Sequence, residues 1–299
     1  MTLAEHLTYD AAMEIYLGVI LGLGAASFWG GADFLAKVVV DRLGPKTSLV
    51  YIQGAGLTLA LAGLLLFKPA MHITPGGLLL ALVPGTLSGA AIICLYRALA
   101  AGPASVATPI VASFSLVTVL LSVLFLKERL TGLIAPGILL SVAGVACVSF
   151  RASNLNVLRK GIILPGVAPA LLGAFFFGTS SFTMKLVVTE LGVYLPLLTS
   201  KICAVIMVLF LRTPYCPTPW RKTRFIPLLV IVGFLDTAGL LFFNHGIARE
   251  LVSVVTPLAG VHSALTVVLA MIFLGERLEM NQKLGLLSLL AGVFLLSWK

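Results

Sequence analysis

The sequence predicts an all-α integral membrane protein of ten transmembrane helices, arranged as two inverted five-helix repeats. Composition, the spacing of apolar stretches and an internal repeat predict it. Of the 299 residues, 60% are apolar and 10% are charged, and the mean hydropathy is +1.11. A soluble domain runs nearer ~45–50% apolar and ~25% charged. No soluble particle of this size could hide so much apolar surface, so its main solvent is lipid. This excludes a soluble enzyme and a disordered chain. It also excludes a nucleic-acid binder, because the 20 basic and 11 acidic residues are thinly spread. In a membrane protein a net charge of +9 places basic loops against anionic lipid.

A hydrocarbon core about 30 Å thick takes about 20 apolar residues of helix to cross. Ten stretches qualify: 15–36, 47–67, 76–101, 104–126, 132–150, 161–188, 193–212, 225–248, 251–274 and 280–298. Helices are required because backbone groups in lipid must bond within the segment, and no stretch alternates as a membrane strand would. Asp41-Arg42-Leu43-Gly44-Pro45-Lys46 ends the first span. Lys68-Pro69 and Pro75-Gly76-Gly77 bracket the next turn, and Gly102-Pro103 folds spans three and four into a tight hairpin. The stretches 151–160 and 213–224 read as polar, basic loops.

Cys94, Cys147 and Cys203 lie in apolar runs and Cys216 in a Pro-rich loop, with no C-x-x-C; His6, His72, His245 and His262 lack ligand spacing. No disulfide, metal site or cofactor is expected. Residues 1–14 hold Glu5, Asp10 and Glu14 but no Lys or Arg, unlike the basic start of a signal peptide.

The repeat emerges at a shift of 148 residues. Ser105, Val106, Thr108 and Pro109 fall on Ser253, Val254, Thr256 and Pro257, and Glu128-Arg129-Leu130 falls on Glu276-Arg277-Leu278. Positions 105–130 hold 13 identities in 26 without a gap. Gly30, Phe34 and Lys37 likewise fall on Gly178, Phe182 and Lys185. The halves are therefore 1–150 and 151–299. Five spans per half is an odd number, so the second half enters the membrane from the opposite side. Secondary transporters share this inverted design, because two halves related by an in-plane pseudo-twofold can exchange conformations around a central site.

Thr108-Pro109 with Glu128-Arg129-Leu130, Thr256-Pro257 with Gly275-Glu276-Arg277-Leu278, and Trp29-Gly30 carry a resemblance over nearly the whole chain. The pattern resembles the EamA-type drug/metabolite transporters; Lys127 in place of glycine in the first half is a minor departure. The resemblance implies a secondary carrier of small metabolites, often an exporter, with a central cavity between its halves. It leaves the substrate open.

Charges inside spans carry the sharpest signal, since each costs about 2.5–3.5 kcal/mol at a helix centre unless it is paired or wet. They are Asp33, Lys37, Lys185, Lys201 and Asp236. Asp33 and Lys37 have the spacing of an i,i+4 ion pair, and Trp29 continues their stripe. Lys185 is the repeat mate of Lys37, which favours a structural role for both lysines. Lys201 has Gln53 as its mate, so polar residues stand at equal depth in the two halves; the alternative is a buried pair with Asp236 kept for helix registry.

Asn244 follows Asp236 two turns later on one face. His245 reads as a packing residue. His262, five residues beyond Pro257, is either a packing residue or lines a cavity where the helix is expected to open. Tyr96, with Tyr51, Phe177, Phe182 and Phe243, either packs or stacks on an amphipathic substrate. Pro109, Glu128, Arg129, Pro257, Glu276 and Arg277 read as structural, with a gating salt bridge as the alternative. Gly18, Gly22, Ala26 and Gly30 form a stripe for close helix approach.

The odd-numbered loops hold thirteen lysines and arginines and the remainder of the loops and C-terminus six, which puts both termini on the non-cytoplasmic side. The expected partners are a small-molecule substrate and the lipid bilayer, with the chain a monomer or homodimer in the cell membrane. Walker, H-E-x-x-H and G-x-S-x-G motifs are absent, so neither ATP nor an enzymatic role is expected. A lipid-modifying enzyme and a non-transporting scaffold are the rival readings.

Overall fold

The structure is a computed structural model and describes residues 3–69, 73–128, 132–148, 165–211 and 224–297, with the side chains of the first helix from Leu17 onward. Arg129, Cys216 and the expected loops at 151–160 and 213–223 lie outside the described residues. Every regular element among those described is helical. The first half holds α1 (Leu3–Leu43), α2 (Pro45–Phe67), α3 (Pro75–Ala101), α4 (Ala104–Ala112), α5 (Phe114–Leu121) with a π-helical turn (Ser122–Leu126), and α6 (Ile134–Val148). The second holds α7 (Val167–Leu191), α8 (Tyr194–Leu209), α9 (Ile226–Arg249), α10 (Val252–Gly260), α11 (His262–Phe273) and α12 (Met280–Ser297).

Among the described residues, seven segments are long and apolar enough to cross a membrane: Leu17–Leu43, Pro45–Phe67, Pro75–Ala101, Ala104–Leu126, Val167–Leu191, Ile226–Arg249 and Val252–Phe273. Tyr194–Leu209 and Met280–Leu295 are apolar but shorter. Apolar side chains face outward freely: Leu66 is 77% exposed and Phe210 82%. Surface of that kind has its partner in lipid tails rather than water.

Local chemistry sets the breaks. α1 runs past the expected end of its span: Asp41, Arg42 and Leu43 continue the helix, which stops at Gly44, with φ +81°, ahead of Pro45. Thr74 caps α3 by accepting from the Gly77 amide at 3.1 Å. Spans four and nine are each cut in two. Proline at 109 and 257 offers no amide to the turn before it, and the helix breaks four residues further on, at Ser113 and Val261. The opening thus follows the proline rather than preceding it. Carbonyls at the breaks accept from side chains: Ile110 from Ser113 Oγ at 2.6 Å and Gly260 from Ser263 Oγ at 3.2 Å.

The turn closing each broken span needs one residue in the left-handed region. Gly275 supplies it at φ +66°, and Lys127 adopts it at φ +53°. A side chain costs about 1 kcal/mol in that region. Gly275→Ala is therefore expected to lower stability by about 1 kcal/mol, read by unfolding of the detergent-solubilised protein; an unchanged midpoint would show the turn to be unstrained.

The halves pack by exchange. α1 lies on α9 while α7 lies on α3; α11 lies on α1 while α5 lies on α7; α2 meets α8, and α6 meets α12. Each contact has a counterpart with the halves swapped, the signature of a two-fold rotation. The polar contacts follow it. Lys37 Nζ donates to the carbonyls of Leu99 (2.8 Å) and Gly102 (3.0 Å), which end α3. Lys185 Nζ does the same for Ile247 (2.5 Å) and Glu250 (3.0 Å), which end α9. A cation suits these bare C-terminal carbonyls. Lys37 also pairs with Asp41 at 2.8 Å, so the i,i+4 pair with Asp33 is replaced by one a turn further on. Thr266 and Thr118 donate to the carbonyls of Gly30 and Gly178, both at 3.0 Å. A Cβ at either glycine would run into Leu265 or Val117. The small-residue stripe on α1 faces the second half in the same way: Gly18 meets Glu250 and Gly22 meets Leu258.

Candidate functional site

The two-fold relation brings certain residues face to face with their own repeat mates, and these positions mark the centre of the molecule. Gln53 on α2 meets Lys201 on α8, with Lys201 Nζ 3.5 Å from Gln53 Oε1. Phe114, at the break before α5, meets His262, at the break before α11, with ring centroids 6.3 Å apart. Two cavities open at this centre. Both are lined by Trp29, Phe177, Ser181 and Asp236. The larger has about 560 Å³ of atom-free space counted to its mouth, and the smaller about 420 Å³.

The larger cavity holds a charge network. Lys201 Nζ lies 2.6 Å from Asp236 Oδ2, and Gln53 Nε2 donates to the same oxygen at 3.3 Å. Lys201 is 3% exposed. An ammonium so far from water survives only with an opposite charge in direct contact. Trp29 Nε1 reaches the Asp236 carbonyl at 3.4 Å, and its ring leans on Phe243 at 5.5 Å. Gly239 makes the seat for that indole, since a Cβ there would stand 2.5 Å from Trp29 Cδ1.

The smaller cavity holds a second pair, His262 Nε2 with Asp33 Oδ2 at 3.3 Å. The other ring nitrogen, Nδ1, faces the Ala259 carbonyl at 3.0 Å. Both nitrogens therefore meet acceptors. A neutral imidazole has one N–H and cannot satisfy both.

Of the residues singled out in the sequence, Trp29, Asp33, Gln53, Lys201, Asp236 and His262 converge on the two cavities. Tyr96 and Asn244 do not line them. Tyr96 is buried in the main apolar cluster, within electrostatic range of Asp33 and Asp236. Asn244 is fully buried and donates to the Val193 carbonyl at 3.2 Å, joining α9 to the α7–α8 turn. His245 bonds the Leu241 carbonyl one turn back.

The structure adds Ser88, Ser180, Ser181 and Ser200 to the larger cavity. Ser200 is 2% exposed and its Oγ has no partner. The repeat carried a signal for two of these: Ser181 is the mate of Asp33, and Ser88 the mate of Asp236. Glu276 and Glu128 stand away from the cavities. Glu276 accepts from the amides of Ala104 (3.0 Å) and Ser105 (2.8 Å), and Glu128 from that of Ser253 (3.4 Å). Arg277 is exposed.

The fold and the charged centre define a multi-pass helical membrane protein whose two repeats enclose cavities with ionisable groups in their walls. Comparison with known proteins names the class. Residues 16–150 and again 164–298 match the EamA-like transporter family, and the chain belongs to that family. An uncharacterised protein of Methanocaldococcus jannaschii, MJ1333.1, is 34% identical over 131 residues, which are 44% of this chain and 95% of that protein. That relative is hardly longer than one repeat. A protein of known crystal structure is alike over 93% of this chain and 94% of its own, at a TM-score of 0.61 and 17% identity, a likeness of fold.

Proposed function

We propose that the chain is a secondary transporter that exports a small polar or amphipathic metabolite across the cell membrane by alternating access, coupled to protons. In this reading it crosses the bilayer ten times, five in each half. The halves lie inverted to one another, and both termini face the non-cytoplasmic side. The observation that carries the reading is the meeting of repeat mates, Gln53 with Lys201 and Phe114 with His262, around cavities that hold ionisable groups. A site on the pseudo-twofold axis is equidistant from both membrane faces and can be offered to either by the same movement.

The site divides the work chemically. Aromatic faces of Trp29, Phe177 and Phe243 grip the apolar part of a solute, and Lys201, Asp236 and Gln53 orient its polar part. Asp33 and His262 hold the proton. No ATP-binding motif is present in the sequence, so ion gradients drive the movement.

The test is flux. Proteoliposomes containing the full chain, loaded with a panel of amino acids, nucleosides and their toxic analogues, are expected to release at least one solute faster when a pH gradient is imposed. Turnover of lipid by the purified protein, with no vectorial movement of any solute, would replace this reading with that of a lipid-modifying enzyme.

A further inference from the structure

The paired Thr-Pro and Glu-Arg-Leu motifs take no part in the chamber, yet they tie the halves together. α4 starts after Pro103 and α10 after Leu251, and neither residue caps its helix through a side chain. The first amides of these helices are orphans that need acceptors. Each acceptor comes from the other half: Glu276 serves α4, and Glu128 serves α10. A carboxylate on bare helix amides makes a charge-assisted bond, stronger than a neutral one.

These two contacts lie at opposite ends of the molecule. α4 and α5 run from the Glu276 end to the Glu128 end, and α10 and α11 run back. The two ends differ. Glu276 makes two bonds, at 3.0 and 2.8 Å, and Glu128 makes one, at 3.4 Å. Thr108 Oγ1 bonds the Ala104 carbonyl at 2.8 Å, whereas the buried hydroxyl of its mate Thr256 has no partner among the described residues. Not every symmetric contact differs; the Thr266 and Thr118 bonds are both 3.0 Å. The larger cavity leans to the slack end. Met184, toward the end where α7 stops, and Ser200, on the α8 side of that same end, line it, while their mates Ala36 and Ile52 line neither cavity.

We propose that Glu276 and Glu128 are gate latches used in alternation, and that this structure is the state with the Glu276 end shut and the Glu128 end slack. In the opposite state Glu128 takes two amides, those of Val252 and Ser253, and Glu276 loosens to one. The chamber then extends past Ala36 instead of Met184. The inference rests on the alternating-access reading and names the contacts that hold each end closed.

The test compares alkylation at two mate positions, Ala36→Cys and Met184→Cys, each in the full chain with Cys94, Cys147, Cys203 and Cys216 replaced by alanine. A maleimide is expected to label Met184→Cys faster than Ala36→Cys. Glu276→Ala should raise the Ala36→Cys to Met184→Cys rate ratio roughly tenfold, as expected for removing one charged cap from one of two states. Glu128→Ala should lower that ratio or leave it low. Glu276→Gln, which keeps an acceptor oxygen, should shift the ratio in the same direction by less, and it decides the matter if the alanine variant does not fold. An unchanged ratio in folded Glu276 variants overturns the proposal, as does a rise in labelling at both positions together. Flux by the parent chain is measured alongside. Flux with an unmoved ratio removes the latches alone, and absence of flux for every solute removes the transport reading.

Discussion

Lys201→Met is expected to destabilise the folded protein by about 3 kcal/mol and to abolish transport. Removing one partner of a buried ion pair leaves the other charge uncompensated, at about 3–5 kcal/mol. The lower figure applies because the Asp236 side chain is 19% exposed and keeps the Gln53 amide at 3.3 Å. Replacing both partners, in Lys201→Met with Asp236→Leu, should recover most of the stability, since an apolar pair of similar volume is often neutral or better. It should not recover flux, because the solute loses both of its charged contacts. Unfolding midpoints in detergent and flux in proteoliposomes read the two effects separately. A Lys201→Met protein as stable as the parent would show that water, and not Lys201, compensates the Asp236 charge. Full flux in the double variant would place the binding site elsewhere.

The second large effect is expected at the Asp33–His262 pair, the proposed proton site. Asp33→Asn should remove the stimulation of flux by a pH gradient while movement down the solute's own gradient continues, because an amide cannot carry the exchangeable proton. A drop of at least about tenfold in the gradient-driven component is expected, the scale of one lost interaction of 1.4 kcal/mol or more. His262→Gln should do the same. The two changes together should lose no more than either alone, since the two residues act as one unit and their effects are not additive. Stimulation by the gradient that survives Asp33→Asn would move proton coupling from this pair to another group, Asp236 first.

Much of this site was legible in the chain because charge in an apolar helix is conspicuous. Asp33, Lys201 and Asp236 had to find partners, and the repeat pointed to Gln53 at the depth of Lys201. The partner of Asp33 was not legible. Spacing along one helix suggested Lys37, but spacing along a helix does not register how the end of a neighbouring helix competes. Lys37 is drawn to the bare carbonyls of Leu99 and Gly102 and to Asp41. Asp33, a turn deeper, faces a histidine more than two hundred residues away. Tyr96 and Asn244 have polar atoms that look functional in sequence, but helix rotation turns them into packing contacts. The serines of the larger cavity were silent for the opposite reason: serine in a membrane helix commonly bonds its own backbone, as Ser48 does, so its presence distinguishes nothing. Gly239 was equally silent, because a seat for an indole on another helix leaves no mark in local periodicity.

The residues that meet their own counterparts carry a consequence for descent. In an assembly of two identical chains, any side chain at the dyad would confront a copy of itself: lysine would repel lysine, and glutamine would face glutamine. Here the confronting pairs are unlike, Gln53 with Lys201 and Phe114 with His262. Two diverged copies of the repeat can mutate independently at such positions, so duplication is what permits a single ammonium, and a single imidazole, to sit where symmetry would demand two or none.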